Sequence, residues 1–276
     1  MIANNKYQIL EPINSGEFGQ VFKGENVRTK EKVAIKVEPI TNQTKMLKRE
    51  TQIYQYLGKS PGIPQLKWFG SDETNNYMVM SLLGKSLPTI KEEQDFGKCS
   101  LEQTTSIAIN IIERLKYLHE KGLIHRDVKP ANFVIGCGKN SNQLYMIDFG
   151  FTKKYLKSNG DHIDICTGKK TIIGTPNYIS INIHEGTEPS RRDDLESVGY
   201  IMIYLLTPVQ SLVQSVQSVQ SVQSVQSVQS VKTKMEIDDH INIPQKIKDY
   251  LKYCRNLWFE QDPDYDHLVY LLTNNK

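Results

Sequence analysis

The stretch His125-Arg126-Asp127-Val128-Lys129-Pro130-Ala131-Asn132-Phe133 gathers a carboxylate, two fixed cations, an imidazole and an amide into nine residues. Asp148-Phe149-Gly150 follows twenty-one residues beyond Asp127, at the end of the apolar run 144–147. Alone, an H-R-D triplet is a chance event on the order of a few per cent in a chain this long, and its ordinary reading is a satisfied loop aspartate. What surrounds it decides between the two.

Upstream lies Ile13-Asn14-Ser15-Gly16-Glu17-Phe18-Gly19-Gln20-Val21, between two segments that read as strands. Glycines there let the backbone fold closely over phosphates with its N–H groups facing them, although a hairpin turn with two glycines is the ordinary reading. Fifteen residues after Val21, the strand Val33-Ala34-Ile35-Lys36 carries one lysine. A lone lysine on a strand is usually just solvated. Under a glycine loop it could reach nucleotide phosphates, with Glu50 on the following helix holding it.

The ordered set of V-A-I-K, H-R-D with Lys and Asn at offsets two and five, and D-F-G resembles the eukaryotic protein kinase signature. The resemblance implies roles residue by residue. Lys36 is expected to pair the α/β-phosphates of ATP, oriented by Glu50. Asp127 is expected to accept the substrate hydroxyl proton or to orient the hydroxyl, and Lys129 to neutralise the transferring γ-phosphoryl group. Asn132 and Asp148 are expected to hold Mg²⁺ through hard oxygen donors. The nucleotide is expected on Ile13, Asn14, Ser15, Gly16, Glu17, Phe18, Gly19, Gln20 and Val21, on Lys36, on Met80 as gatekeeper, and on Leu82 and Leu83 in the adenine-binding hinge. Lysine two residues after the catalytic Asp resembles the Ser/Thr kinases.

In place of A-P-E the chain has Ser180-Ile181-Asn182, followed by Ser190-Arg-Arg-Asp-Asp-Leu-Glu-Ser197. These motifs, with Val79-Met-Ser-Leu-Leu-Gly84 and Ser86-Leu87, Gly62-Ile63-Pro64, and Cys254-Arg-Asn-Leu-Trp-Phe259 with Pro263-Asp-Tyr265, resemble the casein kinase 1 family over about residues 5–272, excluding the Val-Gln-Ser repeat. That implies an α+β, bilobal kinase fold, with a small β-rich N-lobe (about 1–83) and a larger, mainly α-helical C-lobe (about 84–276). It implies Ser/Thr phosphorylation of acidic or phospho-primed proteins, constitutive activity, and a substrate anion pocket of Arg126, Lys153 and Lys170. Asp194 is expected as the buried anchor of the helix that supports the catalytic loop. Departures from the family pattern are Asn14 for the first glycine, Asn177 for a basic residue, and the sequence after Leu206. With Lys276 as the last residue, tail-mediated autoinhibition is not expected. The rival reading is a pseudokinase acting as a binding module, but Lys36, Asp127 and Asp148 are all retained.

The remaining composition sets outer bounds. Among 276 residues, 34 Lys plus Arg against 31 Asp plus Glu give a net charge of +3, too small to argue for nucleic acid as the partner. Four scattered cysteines form no C-x-x-C pair, which disfavours structural zinc and a disulfide scaffold. No apolar run approaches membrane-spanning length and no secretory pattern opens the chain. A cytoplasmic enzyme, with nuclear access open, and a monomer are expected.

Strands are expected at 7–13, 20–23, 33–38 and 77–83, and a helix at 45–57 from Met46, Glu50, Ile53, Tyr54 and Leu57. A second helix should begin at the Ser100/Gln103 capping box and carry the stripe Ile107, Ile111, Leu115 and Leu118. From Val213 to Ser230 the triplet Val-Gln-Ser recurs six times. Its period of three gathers valines on no helix or strand face, so the uncharged 208–231 segment is expected to bury little. A tolerated insertion and a docking loop are both open.

Overall fold

The computed structural model describes residues 1–16, 19–41, 45–168, 172–208 and 243–274, and for 15 and 16 the backbone alone. The expectations for Glu17, Phe18, Lys170 and the Val-Gln-Ser repeat lie outside the described residues. By its contacts the chain divides into two units, one of 1–85 with 134–150 and the other of 86–133 with 151–276.

The first unit is built on an antiparallel sheet of five strands in the order β1-β2-β3-β5-β4. β1 (Tyr7–Gly16), β2 (Gly19–Asn26) and β3 (Lys32–Pro39) form a meander, and β4 (Leu66–Ser71) and β5 (Asn75–Ser81) complete the sheet. α1 (Met46–Leu57) joins β3 to β4. Four of the strands and α1 answer to the expected segments; β4 is an addition. One face of the sheet buries Ile2, Tyr7, Val33, Ile35, Tyr77 and Val79 as a core, with Trp68 of β4 packed against it. The alternation of Val33 and Ile35 puts both on that face, as the period of a strand requires.

The second unit is mainly helical. α2 (Leu87–Glu92) precedes α3 (Leu101–Glu120), which starts with the expected capping box. Gln103 N donates to Ser100 Oγ at 3.1 Å, and Ser100 N donates to Gln103 Oε1 at 2.9 Å. Ile111, Leu115 and Leu118 of the stripe are fully buried. β6 (Leu123–Ile124) lies in this unit, whereas β7 (Phe133–Ile135) and β8 (Leu144–Met146) form a two-stranded sheet that belongs, but for Phe133, to the first unit; β9 (Lys153–Lys154) pairs with β6. α4 (Ile181–His184), α5 (Arg191–Leu206), α6 (Gln245–Asn256) and α7 (Tyr265–Thr273) follow. α5 is buried along almost its whole length, including Asp193, Asp194 and Glu196, and it packs on α3 and α6. No helix among the described residues is long and apolar enough to cross a membrane.

Candidate active site

In the first unit, antiparallel pairing sets Lys36 of β3 opposite Val21 of β2 and Met78 of β5. Its Nζ lies 2.7 Å from Glu50 Oε2 and 3.1 Å from Asp148 Oδ1. Burial opposes the lysine's charge, but the two carboxylates outweigh it and raise its pKa, so Lys36 stays an ammonium. Glu50 comes from the inner face of α1 and is almost wholly buried, which makes it a fixed partner for the lysine.

Asp148 sits at φ 64°, a left-handed backbone that a non-glycine residue adopts only when its surroundings hold it there. Two restraints are visible. Asp148 N donates to Tyr54 Oη at 3.4 Å, and the buried Phe149 ring meets the Tyr54 ring edge-on at 4.9 Å. α1 therefore supplies both the carboxylate for Lys36 and the tyrosine that seats the Asp148-Phe149 turn.

The expected nucleotide loop is the β1–β2 hairpin. Gly16 pairs with Gly19, Ser15 with Gln20 and Asn14 with Val21, with irregular register nearer Pro12. Gly19 is at φ 130°, and a Cβ there would lie 2.2 Å from Val37 O, so the close approach to β3 admits glycine alone. Ile13 of β1 is half exposed. Met80 lies opposite Ala34 on β5. β5 ends at Ser81, so Leu82 and Leu83 lie in the connection beyond it. That connection is held by Gly84 N donating to Ile135 O at 2.7 Å and Ile135 N donating to Lys85 O at 2.9 Å.

In the second unit, Asp127 is buried with every side-chain oxygen engaged. Thr175 donates to Oδ1 from its backbone N at 3.0 Å and its hydroxyl at 2.7 Å. Lys129 Nζ lies 2.7 Å from Oδ2, and Asn132 Nδ2 donates to the Asp127 carbonyl at 2.8 Å and to Oδ2 at 3.3 Å. Asp127, Lys129 and Asn132 are thus brought together, and Thr175 joins them. Thr175 has no periodic or compositional signal. Its only sequence cue is its place after Gly174, whose φ of 107° and approach to Arg126 O exclude a side chain.

Asn132 and Asp148 offer an amide oxygen and a carboxylate, donors that suit Mg²⁺. Since Asn132 Nδ2 is committed to Asp127, its amide oxygen is the group left for a cation. They belong to different units. Among the described residues no group of three or more His, Cys, Asp and Glu is arranged to hold a metal.

The loop carrying Asp127 is anchored from below. Asp194 of α5 accepts the backbone N–H of His125 at 2.7 Å and of Arg126 at 2.9 Å, the anchoring role expected of it. Arg126 is at φ 68°, and its Nε donates to Phe151 O at 2.6 Å.

Of the expected anion pocket, Arg126 and Lys153 are described. Burial lowers the pKa of Lys153 and the charge of Arg126 adds to the effect. Lys153 Nζ also lies 2.8 Å from the buried Glu188 carboxylate. Arg126 and Glu188 line a small cavity with Ile173, Ile183 and Thr187.

The segment Ser180-Ile181-Asn182 is tied to α5 through buried groups. Ser180 Oγ caps α4 by accepting from Ile183 N at 3.1 Å and donates to Asp193 Oδ1 at 2.5 Å. Glu196 Oε1 accepts from Ile181 N at 3.2 Å and from Arg255 Nε at 3.3 Å. Asp193 and Glu196 carry this connection, and their sequence signal is two carboxylates in a helix otherwise rich in buried apolar residues. A comparison with protein-family models matches the protein kinase domain over residues 7–264.

Proposed function

Because the chain belongs to the protein kinase domain family, we propose that it is an active Ser/Thr kinase of casein kinase 1 type acting on acidic or phospho-primed proteins. The family membership itself makes it a kinase with a β-sheet N-terminal part and a helical C-terminal part, and protein kinase domains in general use ATP and Mg²⁺.

The observation that carries the proposal is the buried Asp127 with Lys129, Asn132 and Thr175 around it. A substrate hydroxyl is oriented, and its proton accepted, by a carboxylate of this kind, while the Lys129 ammonium offsets negative charge on the transferring phosphoryl group. In the first unit Lys36, fixed by Glu50, binds the α/β-phosphates, and the glycines that end β1 and begin β2 let the backbone come close to them. Asn132 of the second unit and Asp148 of the first would each offer an oxygen to Mg²⁺, which would supply positive charge to the phosphates when bound. The intact Lys36–Glu50 pair supports catalysis over a role as a binding module.

Two observations support the subfamily reading. Lys129 follows Asp127 at the offset that resembles Ser/Thr kinases. The Ser180-Ile181-Asn182 segment and the Ser190–Ser197 motif are joined by Ser180–Asp193 and Ile181–Glu196 hydrogen bonds, so they act as one module. Arg126 and Lys153 favour an anionic group on the substrate, which would share Lys153 with Glu188.

Phosphoamino-acid analysis of dephosphorylated casein labelled by the purified chain should give phosphoserine and phosphothreonine. A predominance of phosphotyrosine would overturn the Ser/Thr assignment. Matched peptides with phosphoserine or alanine upstream of the target serine test the second half. A lower KM for the phosphopeptide is expected, and equal KM values would remove the anion preference.

A further inference from the structure

Asp194 has its own support, reaching from the C-terminal helix. His119 of α3 places Nε2 3.0 Å from Asp194 Oδ2 and Nδ1 2.7 Å from the Tyr265 hydroxyl at the start of α7. Burial pushes the Asp194 carboxyl up, but the hydrogen bond from His119 and its neighbours outweighs that and holds it below its ordinary value, so it is ionised and only accepts. His119 Nε2 must therefore donate. Burial lowers the His119 pKa, so the ring is neutral and its Nδ1 must accept. Tyr265, whose pKa burial raises, is protonated and donates. Each donor has one compatible acceptor, and the chain runs one way: Tyr265 to His119 to Asp194 to the N–H groups of His125 and Arg126.

The end of that chain is the place where the backbone is under strain. Arg126 at φ 68° needs restraint on either side, and Asp194 holds its N–H and that of His125 directly before Asp127. The other end is also fixed. Asp264 caps α7 by accepting from His267 N at 2.8 Å, and its own N–H donates to Tyr253 Oη on α6 at 2.8 Å. Tyr155 Oη donates to the His119 carbonyl at 2.8 Å, which fixes the backbone that carries the imidazole.

We propose that Tyr265 is a positioning residue for phosphoryl transfer, holding the Arg126 turn, and through it Asp127, by way of His119 and Asp194. The inference rests on the kinase reading above for its effect on turnover, but the hydrogen-bond chain stands without it. Without the hydroxyl, His119 Nδ1 becomes a buried acceptor with no donor, the ring can tilt, and Asp194 loses its fixed geometry.

The test uses the full chain, with Tyr265→Phe, His119→Gln and the double variant. Gln keeps a donor where Nε2 stands and lacks the Nδ1 acceptor. Tyr265→Phe should lower kcat on casein about threefold to tenfold with KM for ATP unchanged, and should add nothing in the His119→Gln background. Backbone hydrogen exchange at His125 and Arg126 should rise in Tyr265→Phe, while the middle of α3 stays protected. An unchanged kcat with unchanged exchange would overturn the proposal. So would the same proportional loss in both backgrounds, or a loss that appears wholly in KM. If the wild-type chain shows no turnover, the kinase reading fails, and the exchange measurement still decides the positioning role. Should Tyr265→Phe not fold, exchange in His119→Gln decides it in the same way.

Discussion

At the scale of single residues, the site depends on charges held in place by partners of opposite sign. Lys36 is fixed by two carboxylates and is the counter-charge to the buried Glu50 carboxyl, opposing the upward push of burial on its pKa. Lys36→Met should therefore lower kcat/KM by about 10²-fold or more and destabilise the fold by about 3 kcal/mol, since a buried charge loses its partner. Steady-state kinetics and thermal unfolding check the two halves separately. Asp193 gives a pH signature. Burial pushes its carboxyl up from 3.8 to about 6, despite the hydrogen bonds from Ser180 and Ser190. Between those values the folded protein holds a proton that the unfolded chain has released, so the residue's contribution to stability falls as pH rises through the window. The unfolding free energy of Asp193→Asn from urea denaturation, relative to the wild type, should shift in favour of the variant by about 2–3 kcal/mol between pH 4 and pH 7. A constant difference across that range would show that Asp193 does not titrate there.

At the scale of elements, what could be read in advance followed from period and capping chemistry. α3 announced itself through Ser100, Gln103 and its apolar stripe, and Ser100→Ala should cost about 1 kcal/mol in thermal unfolding, as a lost N-cap does. α1 was legible from Glu50, Tyr54 and Leu57, and the first three strands from their β-rich alternation. β4 was not, because Leu66-Lys-Trp-Phe-Gly-Ser71 has no clean alternation and its register slips between Leu66 and Trp68; it is a strand because β5 pairs with it. α5 carries a different lesson. It is enclosed on nearly every side, so it lacks the one-sided stripe that marks a surface helix, and its carboxylates are spent on neighbouring segments. The fit is close: a Cβ on Gly199 would lie 2.2 Å from Leu251 Cδ2 of α6. Gly199→Ala should lower stability by about 1–3 kcal/mol, because the overpacking outweighs the gain in helix propensity. Denaturant midpoints would show it, and an unchanged midpoint would mean that α6 yields at no cost.

At the scale of the whole molecule, the motifs identified in sequence fall into two sets. Lys36, Glu50 and Asp148 meet in the first unit, although 112 positions separate Lys36 from Asp148. Asp127, Lys129 and Asn132 meet in the second, joined by Thr175 from a later segment. Motif order made the catalytic types legible because phosphoryl transfer requires those charges. Thr175 and Tyr265 lie within motifs, but that they meet Asp127 and His119 was not legible, nor was the part of His119, since these partners lie far apart along the chain. The central claim is that Asp127 makes this chain a working kinase. It is tested most directly by the rate of phosphate transfer from radiolabelled ATP·Mg²⁺ to dephosphorylated casein by the wild-type chain and by Asp127→Asn. The wild type should turn over, with Asp127→Asn slower by about 10²-fold or more while it retains ATP binding and a cooperative unfolding transition. No turnover by the folded wild type, or equal turnover by the variant, would contradict it.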